Sequence, residues 1–192
     1  MLRRPECQVV RIMGVDPGNT TMGIALLDLT VPDLTLTLAH AYTVDSTKQY
    51  SDRHHLIEHR SERHLRQRIM GKAIARAVRF YEPALIAIES PFMHRLPQAF
   101  AALTELMVRL EDGVASFDVS IPITKIPPVK AKKAIGVKDI KSKASVKDAL
   151  KKKNVAIQER QWCHMDEHSI DATVVAFTIA QQIIDGDYPY VV

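Results

Sequence analysis

Three acidic residues occupy positions where carboxylates can do metal-dependent chemistry. Asp16 closes the apolar run QVVRIMGVD at 8–16, and Glu89 closes ALIAIE at 84–89. Asp171 begins a strongly apolar helical run, so it faces into or beside the core, where a carboxylate needs a partner. Singly, Asp16 could cap the Asp-Pro-Gly turn and Glu89 could be a solvated strand end. Together they predict an oxygen-rich cluster for Mg²⁺ or Mn²⁺, and two such ions could clamp an in-line displacement at phosphate.

The residues just before Asp171 leave the fourth member of this cluster open. His168 and Glu167, at i−3 and i−4, share its helix face. Asp166, five residues away, points off that face. The spacing therefore predicts His168 or one of the nearby acids as the additional polar group.

Three other classes of protein use similar residues. Zinc could bind through Cys163, His164 and His168, but H-M-D-E-H lacks the glutamate placement of H-E-x-x-H, and no second Cys/His pair follows. An actin-like ATPase or sugar kinase also begins with an Asp-x-Gly turn, but it needs a second phosphate loop and an adenosine pocket. In a non-enzymatic DNA-binding protein, paired acids would repel phosphate unless metal neutralised them.

The elements that must position these residues follow from hydrophobic periodicity and turn residues. Runs at 8–16 and 22–29, separated by Pro-Gly-Asn-Thr-Thr, predict a hairpin, and the alternating run at 34–44 predicts a third strand. We expect helices at 52–81, 97–112, 143–153 and 166–184, and further strands at 84–89 and 119–124.

The order of these elements predicts an α/β fold with a mixed five-stranded sheet and helices on both faces. The first three strands are antiparallel neighbours, and the fourth and fifth run parallel to the central first strand. Parallel pairing of the first and fourth strands would bring Asp16 and Glu89 to one edge of the sheet, where α/β proteins bind ligands.

Length and composition predict a single domain spanning residues 1–192. The chain is 46% hydrophobic and 25% charged, as in ordinary globular proteins. Two cysteines, Cys7 and Cys163, are too few for a secreted disulfide framework, which favours the cytoplasm. Neither the apolar run at 9–15 nor the stretch at 172–184 is suited to membrane insertion.

Charge is strongly segregated along the chain. Residues 53–79 carry a net charge of +6 and residues 125–153 carry +9, whereas the other three segments are acidic. Such segregation indicates a polyanionic partner such as nucleic acid. Solvated helix faces would produce the same pattern.

The helix at 98–112 predicts a two-fold homodimer. Gln98, Glu105, Arg109 and Asp112 form one narrow polar stripe, and apolar residues such as Ala102 and Leu106 cover most of the rest. A helix apolar over so much of its circumference must bury more than the face on its own sheet. The alternative is that the last helix or the lysine-rich segment covers the second face within one chain.

Four ordered segments resemble the motifs of one family, the RuvC Holliday-junction resolvases of the RNase H-like superfamily. They are IMGVDPGNTTMGIALLD, AIESPFMHRL, VKAKKAIGVKDIKSKASVKDAL and HSIDATVVAFTIA, and they span nearly the whole chain. The resemblance implies an RNase H-like nuclease domain and a Mg²⁺-dependent endonuclease acting on four-way or other branched DNA, without a small-molecule cofactor. A nuclease for RNA:DNA hybrid and a catalytically silent junction-binding protein are the alternatives.

The resemblance also implies roles for individual residues. Asp16, Glu89 and Asp171 correspond to metal-binding catalytic carboxylates. His168 stands where the family often has aspartate, and it could ligate metal, act as general base or stabilise the leaving group.

DNA contacts are implied in the same way. Phe92 falls where the family places an aromatic near the junction centre, although a core phenylalanine is an equal alternative. Lys130 and Lys143 fall in the phosphate-contacting basic region, and Lys132 and Lys133 extend it. The lysine density of this region resembles divergent phage-type relatives.

Overall fold

The computed structural model describes residues 8–31, 33–50, 61–92, 97–137 and 143–188, leaving out the side chains of 49–50 and 143–145. The strands in these ranges are β1 Gln8–Asp16, β2 Thr21–Val31, β3 Thr35–Asp45, β4 Leu85–Glu89, β5 Ile123–Ile126 and β6 Val155–Ala156. The helices are α1 Thr47–Tyr50, α2 Glu62–Tyr81, α3 Pro97–Ala115, α4 Pro128–Ala134, α5 Lys143–Lys151, α6 Glu159–His164 and α7 Glu167–Ile184.

The sheet has the predicted topology plus one additional strand. Its order is β5-β4-β1-β2-β3-β6, with β1 antiparallel to β2 and parallel to β4. β2 and β3 are antiparallel, and β4 and β5 are parallel. The prediction of five strands was one short, because β6 is a two-residue pairing with Leu36 and Thr37 that has no periodicity of its own.

Several element boundaries differ from the sequence expectation. β5 begins four residues later than expected, because Asp118 Oδ1 accepts hydrogen bonds from the backbone and hydroxyl of Ser120 in a turn that occupies the expected strand start. α4 and α6 were not predicted as separate helices, since each is shorter than two full hydrophobic repeats. The expected start of the long helix at 52–60 lies outside the described residues, and Ser61 caps α2.

Helices cover both faces of the sheet, as predicted, and divide the core into two layers. α7 packs on β1, β2 and β3 on one face, whereas α2 and α3 pack together on the other. Neighbouring residues on β1 serve opposite layers: Ile12 belongs to the α7 layer and Met13 to the α2–α3 layer. Burial on both faces explains why the sequences of β1 and β4 do not alternate.

Two glycines let α7 lie directly on the sheet backbone. A Cβ atom on Gly14 would come 2.0 Å from the carbonyl oxygen of Ala172, and one on Gly23 would come 2.0 Å from that of His168. A side chain at either position is therefore incompatible with the observed helix placement. The contact sets the height of the first turns of α7, which carry His168 and Asp171, above the sheet.

One side of the apolar circumference of α3 is covered within its own chain. Ala102 and Leu106 are buried at 6% and 0% exposure. The close crossing of α2 and α3, where a Cβ on Gly113 would lie 2.6 Å from the Gly71 carbonyl oxygen, buries this side of α3. The expectation that these two residues need a second copy of the chain was wrong, because periodicity shows an apolar face but not which element covers it. Val108, at 54% exposure, faces solvent.

Candidate active site

The predicted carboxylates converge at one edge of the sheet. Asp16 and Glu89 end β1 and β4, whose parallel register pairs the preceding residues Val15 and Ile88. Asp171 lies in the second turn of α7 and is close enough for its charge to act on Glu89. The prediction that parallel pairing brings these acids together therefore agrees with the geometry.

Burial and mutual repulsion disfavour the charged forms of two of these acids. Burial, then the charges of Asp16 and Asp171, raise the pKa of Glu89 to about 8. Burial, then Asp16, raise the pKa of Asp171 to about 6, and the cation of Lys132 opposes both shifts. Carboxylate oxygens are the ligands that a hard divalent cation prefers, and a cation among them would relieve their mutual repulsion.

The donor chemistry fits a divalent cation, although the side chains do not form a closed cage. In the ranges that the structure describes, no three His, Cys, Asp or Glu side chains form a ready-made metal site. Mg²⁺ characteristically keeps several waters and uses one or two protein carboxylates plus phosphate oxygens of the substrate. An open arrangement of Asp16, Glu89 and Asp171 is compatible with that mode of binding.

His168 is held in this cluster through both nitrogens of its ring. Its Nδ1 donates to Asp16 Oδ2 at 2.9 Å, and its Nε2 lies 2.8 Å from Thr21 Oγ1. The hydrogen bond to Asp16 raises the pKa of His168. The histidine thus connects α7 to the end of β1 and the start of β2.

Asp166 and Glu167, the acids just before His168, do not share its contact with Asp16. Asp166 is the N-cap of α7 and accepts hydrogen bonds from the Ser169 backbone at 2.9 Å and from Thr43 Oγ1 at 2.6 Å. Its carboxylate is therefore engaged in capping the helix. Glu167 is half-exposed, with Oε1 3.8 Å from His168 Nε2.

The zinc alternative is not supported by the position of His168, which belongs to the carboxylate cluster. Cys163 and His164 are exposed at the end of α6, whereas the ring of His168 is turned toward Asp16.

The lysines of α4 differ in position. Ala131 and Ile135 face the core layer shared with α7, Lys130 and Lys133 are exposed, and Lys132 is half-buried. Lys132 is the lysine whose charge acts on both Glu89 and Asp171. Sequence reasoning grouped these lysines together. The apolar residues Ala131 and Ile135, four positions apart, could have indicated which side of α4 faces the core.

The other predicted residues, and one residue that sequence reasoning did not single out, have the following positions. Phe92, three residues beyond Glu89, is 61% exposed, so the alternative of a core phenylalanine was wrong. Lys143 begins α5, and its side chain lies outside the described part of the chain. Sequence reasoning missed Thr21, the first residue of β2, because only its contact with His168 distinguishes it from its neighbours.

Comparison with known proteins gives one curated relative in sequence and several in fold. No family model matches the chain. The crossover junction endodeoxyribonuclease RuvC of Bacteroides fragilis is 29% identical over 143 residues, which are 73% of this chain and 67% of that protein.

Solved structures of junction resolvases superpose on most of the chain. Thermus thermophilus RuvC in complex with a Holliday junction substrate has a TM-score of 0.64 at 18% identity, covering 93% of this chain and 97% of that one. The yeast mitochondrial resolvase Ydc2 has a TM-score of 0.63 at 10% identity, covering 93% and 82%. The fowlpox virus resolvase has a TM-score of 0.57 at 13% identity, covering 92% and 99%.

These likenesses confirm the resemblance that the four sequence motifs carry. The fold prediction is confirmed as well, apart from the number of strands. The chain therefore has the fold of these resolvases and is similar in sequence to one RuvC.

Proposed function

We propose that this chain is a divalent-metal-dependent endodeoxyribonuclease that cleaves four-way DNA junctions. The observation that carries the proposal is the cluster of Asp16, Glu89 and Asp171, contributed by two parallel strands and one helix, on a fold shared with RuvC in complex with a Holliday junction. A silent junction-binding protein would have no use for repelling acids beside a phosphate-binding surface. The same chemistry would serve a nuclease for RNA:DNA hybrid, which remains the second candidate.

Mg²⁺, with Mn²⁺ as a substitute, is the cofactor that this donor set fits. Asp16, Glu89 and Asp171 would hold it, and it would supply an activated water and neutralise charge at the scissile phosphate. His168 holds Asp16 Oδ2 through Nδ1 and so fixes the direction of that carboxylate. Lys132, beside the acids, is positioned to meet a phosphate oxygen. Cleavage would leave a 5′ phosphate.

Binding of the junction would use the surface around this edge. We assign phosphate contacts to Lys130, Lys133 and Lys143, and a contact near the junction centre to Phe92, whose exposed ring can stack on a base.

The active protein would be a homodimer, because a four-way junction has approximate two-fold symmetry and paired cuts need two related sites. We place it in the cytoplasm. None of the described helices is long and apolar enough to cross a membrane.

One gel assay tests the function. The purified chain is incubated with a four-way junction, a linear duplex, a flap and an RNA:DNA hybrid, in Mg²⁺, Mn²⁺ or EDTA. We expect metal-dependent cutting of the junction with paired, symmetric products. Preferential cutting of the hybrid would establish the second candidate, and junction binding without cutting in either metal would refute catalysis.

A further inference from the structure

A cluster of four aromatic rings lies where β3 meets the end of α2. The ring centroids of His40 and Tyr42 are 5.4 Å apart, and those of His40 and Tyr81 are 5.8 Å apart. Phe80 meets Tyr81 edge-on at 4.9 Å. Phe80 is 79% exposed, so the fold leaves a large apolar ring in solvent at the end of this aromatic cluster.

This cluster borders a groove with a definite shape and charge. The groove has a volume of about 540 Å³, and its floor includes Val44 and Ala77 beneath the aromatic rings. Arg76 and Arg79 also line it, and both are exposed. No described acidic side chain lines the groove, so its charge is positive.

The positive surface continues along α2 toward the carboxylate edge. Lys72 and Arg68 are exposed, four and eight residues before Arg76, so the three share one side of the helix. Near the start of α2, Arg66 Nη1 lies 3.4 Å from Thr20 Oγ1, in the turn that follows Asp16. At 1.5 Å per residue, Phe80 lies about 20 Å from Arg66 along the helix. The groove is therefore separate from the proposed catalytic edge but connected to it by cations.

We propose that this groove binds an unpaired DNA strand, with a base stacked on Phe80 and the flanking phosphates on Arg76 and Arg79. Aromatic rings that accept any base, combined with cations that track the backbone, are the usual means of binding single strands. Arg76 and Arg79 supply the cations for this mode of binding, because a guanidinium pairs with phosphate. Phe80 supplies the ring for the base. In a duplex the bases are stacked on one another, so none of their faces is accessible for stacking on Phe80.

A second copy of the chain suits this surface less well. In a two-fold interface centred on this groove, the two sets of Arg76 and Arg79 would approach each other, and the described groove lining has no acidic side chain to separate them. A strand of phosphates complements them instead. The proposal goes beyond cutting at a four-way junction and does not need catalysis, because the groove shares no residue with the carboxylate cluster.

The test is binding by the full-length chain in EDTA, which prevents cleavage. Fluorescence anisotropy is measured with a labelled oligothymidylate and with a labelled linear duplex. We expect Phe80→Ala to weaken single-strand affinity about tenfold and to leave duplex affinity unchanged, whereas Phe80→Trp retains single-strand affinity. Matched controls are Phe117→Ala and Arg109→Ala, an aromatic residue and an exposed arginine outside the groove, and both should bind like wild type.

A second readout reports stacking itself. The fluorescence of 2-aminopurine in the oligonucleotide should be quenched on binding to wild type and much less on binding to Phe80→Ala. Unchanged single-strand affinity of folded Phe80→Ala, or a loss matched by Phe117→Ala, would overturn the proposal. So would conversion of a wild-type dimer to monomer by Phe80→Ala in light scattering, because the groove would then be an interface between copies. Loss of junction cutting in all variants would refute the proposed function but not this inference.

Discussion

At the scale of single residues, the carboxylate cluster makes stability depend on pH. The pKa of Glu89 is raised from 4.5 to about 8, so the folded protein binds this proton more tightly than the unfolded chain does. Stability is therefore fully present below about pH 4.5 and is lost as the pH rises toward about 8. In EDTA we expect Glu89→Gln to stabilise the chain above about pH 8, by on the order of 2 kcal/mol, and to have little effect near pH 5.

Thermal unfolding followed by circular dichroism at both pH values measures this effect. Adding Mg²⁺ should raise the unfolding temperature of wild type more than that of Glu89→Gln, because the cation binds the folded carboxylates. Equal stability of the two proteins across the pH range would contradict the assigned burial and repulsion.

The same residues should separate cutting from binding. Asp16→Asn, Glu89→Gln and Asp171→Asn should each reduce junction cutting by about a thousandfold or more while preserving junction binding, since each removes metal-binding charge but no cation from the DNA surface. His168→Ala should be partial and should depend on the choice of Mg²⁺ or Mn²⁺. Single-turnover cleavage and gel-shift titration measure the two quantities. Cutting at a near wild-type rate by any acid variant would remove that residue from the site.

Two lysines on one helix should have different roles. Lys132 is half-buried beside the acids, whereas Lys133 is exposed. We expect Lys132→Ala to lower the cleavage rate about tenfold to a hundredfold with little change in affinity, and Lys132→Arg to restore part of the rate. Lys133→Ala should instead weaken binding to all DNA shapes and reduce the salt dependence by about one ion. Equal effects of the two alanine variants would show that Lys132 is only a surface cation.

At the scale of elements, the site depends on how closely α7 lies on the sheet. Gly23→Ala should lift the helix, because its Cβ would clash with the backbone of His168 at 2.0 Å. We expect a loss of at least about 2 kcal/mol of stability and of most activity in the molecules that remain folded. Gly113→Ala is the matched control, since it disturbs the α2–α3 crossing on the opposite face.

The control separates instability from misplacement of the site. Gly113→Ala should lower the unfolding temperature yet keep wild-type turnover per folded molecule at low temperature. Full turnover by Gly23→Ala would show that the height of α7 does not position His168 and Asp171.

At the scale of the whole molecule, we expect two copies of the chain to form a homodimer. Because Ala102 and Leu106 are buried within one chain, charged residues there would unfold it rather than separate two copies. Val108 is exposed on the outer side of α3, so Val108→Asp is the appropriate change. We expect wild type to be dimeric in light scattering, and Val108→Asp to be a folded monomer that nicks junctions without pairing the cuts. A wild-type chain that stays monomeric at micromolar concentration, with and without junction DNA, would rule out the dimer.

The sequence by itself determined most of the architecture and the placement of two candidate acids, Asp16 and Glu89. Alternation, helical periodicity and turn residues are local properties, so β1 to β4 and α7 could be predicted with small errors at their ends. Once β1 and β4 were taken as parallel, the placement of Asp16 and Glu89 at one edge followed, because the carboxyl ends of parallel strands meet there.

Tertiary structure decided what depends on contacts between distant segments. His168 and Asp166 both stand near the start of α7, and the docking of that helix on Gly14 and Gly23 turns one toward Asp16 and leaves the other to cap the helix. The burial of Ala102 and Leu106 beside α2 was decided in the same way. Periodicity shows that a face must be buried, but the partner that buries it is chosen by packing across the whole fold.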